Sequence, residues 1–235
     1  MKFQRVAVID SGIGGMSVLK ELVEAFPKCN FIYFGDNKNA PYGNRTIADL
    51  YSISLSNLSF VLSFNVDAVV FACNTVSVSV LQFLRDFSPV PLFGIYPPIE
   101  SEMVHGNRVL LLATDVTADK YKGLKNVVSV GLSGLVKHIE DNKFNLKNLD
   151  IVKFLPSNKT SFDTVILGCT HFNFVKNQIF NHFCPQKIIS GCENVILNIA
   201  KVFNTSKTLD KTYRNSVIFI GENANENRIF WEKIN

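Results

Sequence analysis

Short apolar runs recur along this chain, separated by longer stretches of mixed character. Residues 5–9, 30–34, 67–72, 91–95, 108–113, 127–130, 163–168, 187–189 and 216–220 each read as a strand. Between them, residues 14–26, 46–64 and 75–87 carry apolar positions at helical spacing, and a last helix is expected near 225–233. The strand segments are nearly continuous apolar runs, as strands covered on both faces should be. Strands alternating with helices predict an α/β fold with mainly parallel, doubly wound sheets. Ligands bind such sheets beyond the carboxyl ends of the strands. The residues found there are Asp10-Ser11-Gly12, Asp36, Cys73-Asn74-Thr75, Thr114 and Cys169-Thr170-His171, and every one of these sites carries a polar or nucleophilic group.

The pattern also repeats internally. DAVVFACNT at 67–75 resembles DTVILGCTH at 163–171: an Asp, five apolar or small residues, a Cys, then two polar residues. The copies suggest two similar half-chains, each delivering one cysteine from a strand end to a helix start.

Composition adds bounds. The chain has 235 residues, 47% hydrophobic and 19% charged, with a net charge of +4. That is an ordinary globular balance, long enough for one large or two small cores. The positive surplus is scattered, so no nucleic-acid partner is expected. No apolar run approaches a membrane span, and the four apolar residues before Asp10 are too few for a signal-peptide core, so a cytoplasmic location is expected. Five cysteines without a CxxC pair read as free thiols.

A cysteine at a helix N-terminus feels unpaired N–H groups and the positive end of the helix dipole, which favour thiolate. Two such cysteines, Cys73 and Cys169, admit three uses: metal ligation, a redox pair, or acid and base on opposite faces of one carbon. Zinc usually wants closely spaced ligand pairs, and redox chemistry usually wants CxxC. The acid/base option uses what is present, with Asp10 and His171 placed to assist proton movement. Ser11, Asn74, Thr75 and Thr170 offer donors for carboxylates, although Asn74 and Thr170 also suit plain helix caps. The glycine segment 10–15 (DSGIGG) follows a strand and opens a helix, as a dinucleotide fingerprint does, and Asp36 stands where a ribose-binding acid belongs. Against that reading, Ser17 occupies the third glycine position, and Asp10 would set negative charge beside a pyrophosphate.

Taken together, DSGIGGMSVL at 10–19, Asp36 with Pro41-Tyr42-Gly43, ACNT at 72–75 and LGCTH at 167–171 resemble the glutamate racemases of the aspartate/glutamate racemase superfamily. Thr114, Thr117 and Tyr121, Ile139-Glu140 and Ser190-Gly191 match more weakly. The resemblance implies two similar domains facing across a cleft, residues 1–95 with 206–235 forming one and 96–205 the other. It implies Cys73 and Cys169 as catalytic acid/bases assisted by Asp10, Glu140 and His171. It places substrate against Asp10, Ser11, Pro41, Tyr42, Gly43, Asn74, Thr75, Thr114, Thr117, Thr170 and His171. It implies glutamate as substrate (aspartate or another amino acid being the alternative), no pyridoxal phosphate or other cofactor, no metal, a homodimer, and D-glutamate supplied to peptidoglycan. Departures from the family pattern are Asn173, Lys137, His138, Pro97 and the short segment after Glu140.

Overall fold

The computed structural model describes residues 4–157, 160–204 and 215–235. Nine strands are found among them: β1 Gln4–Asp10, β2 Cys29–Gly35, β3 Ala68–Phe71, β4 Leu92–Gly94, β5 Val109–Ala113, β6 Val127–Gly131, β7 Thr164–Gly168, β8 Lys187–Ser190 and β9 Val217–Ile220. Each lies within two residues of its expected bounds. The α-helices are α1 Gly15–Ala25, α2 Ile47–Leu62, α3 Asn74–Ser79, α4 Leu81–Leu84, α5 Ile99–Val104, α6 Asp115–Lys120, α7 Ser133–Asp141, α8 Lys176–Phe183, α9 Cys192–Phe203 and α10 Ala224–Ile234. The single helix expected over 75–87 is broken, because Val80 leaves helical geometry (φ −131°, ψ −13°), so α3, α4 and a 3-10 turn at Arg85–Phe87 follow one another. After Cys169 the chain enters a 3-10 turn, Thr170–Val175, before α8 begins.

The strands form two all-parallel sheets, ordered β4-β3-β1-β2-β9 and β6-β5-β7-β8. Read from the opposite edge, the second sheet repeats the order of the first, β5 to β8 standing where β1 to β4 stand. In each sheet the chain moves outward by one strand, then returns across its starting strand. Right-handed crossovers therefore put helices on both faces, and the reversal creates a switch point between β1 and β3 and another between β5 and β7. Strands β1 to β4 and β9 form one sheet and β5 to β8 the other; the expected boundary at 206 lies outside the described residues.

The repeated Asp has the same job in both copies. Asp67 accepts the Arg5 amide at the start of β1 (2.8 Å), and Asp163 accepts the Arg108 amide leading into β5 (2.8 Å). Each carboxylate satisfies an edge amide that the parallel ladder leaves without a partner. Alternation along the strands builds the cores. Val6 and Val8 of β1, Leu110 and Leu112 of β5, and Val165 and Leu167 of β7 belong to one continuous cluster shared by both sheets. Ala7, Ile9, Val69 and Phe71 face a second cluster under α2 and α3, and Leu111 and Ile166 a third under α5 and α6.

The Leu112 side chain is wholly buried in the shared cluster. Leu112→Ala should lower the free energy of urea unfolding by about 2–5 kcal/mol; a loss under about 1 kcal/mol would show that the shared cluster contributes little to stability.

Candidate active site

Both switch points end in a cysteine motif, and both thiols line one cavity. Cys73 follows β3 and precedes α3; Cys169 follows β7. The first sheet gives this cavity Ser11, Pro41, Tyr42, Gly43, Asn74 and Thr75. The second gives Thr114, Ser133, Val136, Gly168, Thr170 and His171. At about 10 Å³ it has room for about one water molecule, so the two halves are closed on each other. A larger outer cavity of about 330 Å³ shares Ser11, Pro41, Val136 and His171 with it and adds Glu140, Lys137 and Asn37.

Of the expected site residues, Asp10, Thr117 and Glu140 are not on the inner wall: Asp10 and Thr117 are fully buried, and Glu140 lines the outer cavity. Thr117 bonds the Thr114 hydroxyl (3.1 Å), which in turn meets Thr75 Oγ1 across the two halves (2.8 Å). Asp10 Oδ2 accepts the Gly15 amide and, weakly, Thr170 Oγ1 (3.4 Å). Its Oδ1, like Asn74 Oδ1, is buried without a hydrogen-bond partner. Ser133 and Val136 line the cavity without having been singled out in the sequence, and Gly168, part of the LGCTH motif, lines it without having been expected as a site residue. Ser133 lies just past the end of β6, a strand end given no weight above, and its Oγ accepts the Asp115 amide (3.1 Å).

The two thiols have different surroundings. Cys169 Sγ lies 3.7 Å from His171 Nδ1, and His171 Nε2 lies 2.6 Å from Glu140 Oε1. Glu140 Oε1 also accepts the Ile13 amide from the first half (2.8 Å). Burial opposes a charge on His171, but its hydrogen bonds to Cys169 and Glu140 outweigh burial and hold its pKa well above the ordinary value. Burial likewise opposes charge on Glu140, and the bond and charge of His171 turn the net shift downward. The imidazolium donates at both nitrogens when the Cys169 sulfur is a thiolate; a Cys169 thiol would instead donate to a neutral ring at Nδ1.

Around Cys73 the balance runs the other way. Burial, then the neighbouring Asp10 carboxyl, pushes the Cys73 thiol up, and the amides of Val76 and Thr75 only partly offset this. The expectation that a helix start would favour thiolate here is therefore corrected: the amides do favour it, but desolvation in a closed cavity is larger. Asp36, weighed above as a ribose ligand, is instead saturated. It accepts from Tyr42 Oη (2.6 Å), Asn57 Nδ2 (3.0 Å) and Asn39 Nδ2 (3.0 Å), and so fixes the loop that brings Tyr42 to the cavity. Among the described residues no group of three His, Cys, Asp or Glu is placed to hold a metal ion, and no helix is long and apolar enough to cross a membrane.

No family model matches the chain. Individual proteins do. A glutamate racemase of Clostridium novyi (strain NT) is 34% identical over 194 residues, covering 74% of this chain and 73% of that protein. One from Clostridium acetobutylicum is 32% identical over 216 residues, covering 86% and 84%. Among solved structures, glutamate racemase from Campylobacter jejuni subsp. jejuni superposes with a TM-score of 0.81 at 25% identity, covering 98% of this chain and 97% of that one.

Burial pushes the Asp10 carboxyl up from 3.8 to about 6. A carboxyl that holds its proton more tightly folded than unfolded stabilises the fold at low pH, and that contribution is lost as pH rises through about 6. Asp10→Asn lacks this loss. Its stability relative to the parent should therefore improve between about pH 4 and about pH 7, by on the order of 3 kcal/mol. Urea unfolding across that range is the check, and a pH-independent difference would contradict the buried carboxyl.

Proposed function

The chain belongs to the glutamate racemase family, and on that premise we propose that it interconverts L- and D-glutamate by proton transfer between Cα and two thiols, Cys73 and Cys169. One observation carries this reading: both thiols, one from each sheet's switch point, line the same closed cavity. As an amino-acid racemase it needs a base on one face of Cα and an acid on the other. The unequal surroundings supply the pair. The His171 imidazolium, held by Glu140, lies 3.7 Å from the Cys169 sulfur; burial raises the Cys73 pKa and favours its thiol.

In one direction Cys169 takes the α-proton: the C–H bond breaks, an S–H bond forms, and the electron pair moves into the α-carboxylate. Cys73 then gives its proton to the opposite face of Cα, leaving the Cys73 thiolate. The Asp10 carboxyl, titrating near 6, is suited to relay the proton that resets Cys73. The reverse direction exchanges the roles. The partnerless Asn74 Oδ1 suits the substrate ammonium, while the hydroxyls of Ser11, Thr75 and Thr170 suit its carboxylates. Glutamate does not fit the closed cavity, so entry requires the halves to part. The same reading makes the enzyme a cytoplasmic source of D-glutamate for peptidoglycan and a homodimer.

Incubated in heavy water without added cofactor, either glutamate enantiomer should gain deuterium at Cα and invert. Cys73→Ala and Cys169→Ala should each lose at least about a hundredfold in turnover. Turnover of aspartate but not glutamate would overturn the substrate assignment, and unchanged turnover in either variant would overturn the two-thiol mechanism.

A further inference from the structure

The glycine segment that first suggested a nucleotide site lies against the Cys169 machinery instead. A Cβ built on Gly12 would stand 1.9 Å from Glu140 Oε1 and 2.8 Å from its Cδ. A Cβ on Gly14 would stand 2.4 Å from Thr170 Oγ1 and 2.5 Å from His171 Nδ1. Neither backbone demands glycine: neither φ is left-handed, and Gly14 is helical at φ −54°, ψ −44°. What these positions require is the absence of a side chain, so that groups from the second half can come close. The approaching atoms are the ones that matter chemically. Glu140 Oε1 holds both His171 Nε2 and the Ile13 amide, and His171 Nδ1 faces Cys169 Sγ. The Gly12 carbonyl itself accepts from Tyr33 Oη (2.6 Å), a side chain that is fully buried.

We propose that Gly12 and Gly14 are positioning residues for the Cys169 half of the reaction: the bare first-sheet backbone is the mould that sets Glu140 and His171 in register on Cys169. This rests on the two-thiol reading given above. A methyl group at either position displaces a member of the Cys169–His171–Glu140 chain, and a displacement of about 1 Å in such an array lowers kcat by about a hundredfold.

The test separates the two proton transfers. When transfers at Cys169 alone are slowed, C–H cleavage becomes more rate-limiting for the enantiomer that Cys169 deprotonates. For the other enantiomer it becomes less so, because Cys73 returns the proton before Cys169 can deliver its own. The α-deuterium isotope effect on kcat/KM is measured with both deuterated enantiomers of glutamate, on the parent, Gly12→Ala, Gly14→Ala and Asp10→Asn. Both glycine variants should lose about a hundredfold in kcat. Their isotope effect should rise for one enantiomer and fall for the other, the same way round in both variants, and Asp10→Asn should show the mirror pattern. Adding Glu140→Asp to Gly12→Ala shortens the displaced acid and should recover part of the lost rate. If Gly12→Ala alone does not fold, the double variant carries the same isotope measurement. Isotope effects that move together for both enantiomers, or stay at parent values, overturn the proposal while leaving the racemase reading intact. A parent protein that neither exchanges nor inverts glutamate overturns that reading itself.

Discussion

Every strand of a parallel sheet ends on the same edge, so one sheet offers side chains to a ligand from one side only. Chemistry that needs groups on both sides of an atom therefore needs a second sheet turned to meet the first. This chain meets that constraint by making the same four-strand unit twice, β4-β3-β1-β2 and β8-β7-β5-β6, and adding β9 to the first. Each unit places a cysteine after the strand beside its switch point, where crossover helices leave a gap for a ligand. Closing the two units on each other then brings Cys73 and Cys169 to one cavity.

Equivalent positions in the repeat do not have equivalent surroundings. Cys73 has a buried carboxyl beside it, and its own burial raises its pKa. Cys169 has an imidazole backed by a carboxylate. A pair of identical thiols in identical settings would share one preferred protonation state, whereas a two-base reaction needs one of each. Part of the asymmetry crosses the seam: Glu140, which backs His171, accepts an amide of the first half, whereas Asp10 is held by the Gly15 amide of its own half and only weakly by Thr170 of the second.

Much of this was legible in the sequence because it is periodic or local. The nine apolar runs gave the strands, since strands buried on both faces leave an uninterrupted signal. The Asp-to-Cys repeat was legible too, and its reason is now visible: Asp67 and Asp163 both hold the amide of an Arg at the head of the neighbouring strand. What was not legible depends on distant chain segments meeting. The rise in the Cys73 pKa follows from burial and from the Asp10 carboxyl brought beside it, which no local rule about helix starts contains. Ser133 and Val136 reach the cavity because α7 packs over it, and nothing in their neighbours announces this. The break at Val80 and the 3-10 turn after Cys169 were not legible in the helical spacing either.

The seam between the halves has two characters, and this bears on how substrate enters. On one flank, α1, α9 and the turn after Cys169 share a continuous apolar cluster that includes Leu19, Phe172, Ile199 and Phe230. Parting that flank would expose several large side chains, each worth about 1.5–3 kcal/mol of burial. On the other flank, the Tyr42 loop and α3 meet α6 through isolated polar contacts such as Thr75 with Thr114. Such a bond contributes only about 1 kcal/mol net, because water replaces it when it breaks. The halves should therefore part on the Tyr42–Thr114 flank and pivot on the apolar one. A pivot there leaves the seating of Thr170 and His171 on the first turn of α1, including the Asn173 bonds to Ser17 (3.1 Å) and to the Thr170 carbonyl (3.2 Å), largely undisturbed. The Cys169–His171–Glu140 contacts can thus stay assembled through each opening, while the walls assigned to the substrate on the proposed reading move apart.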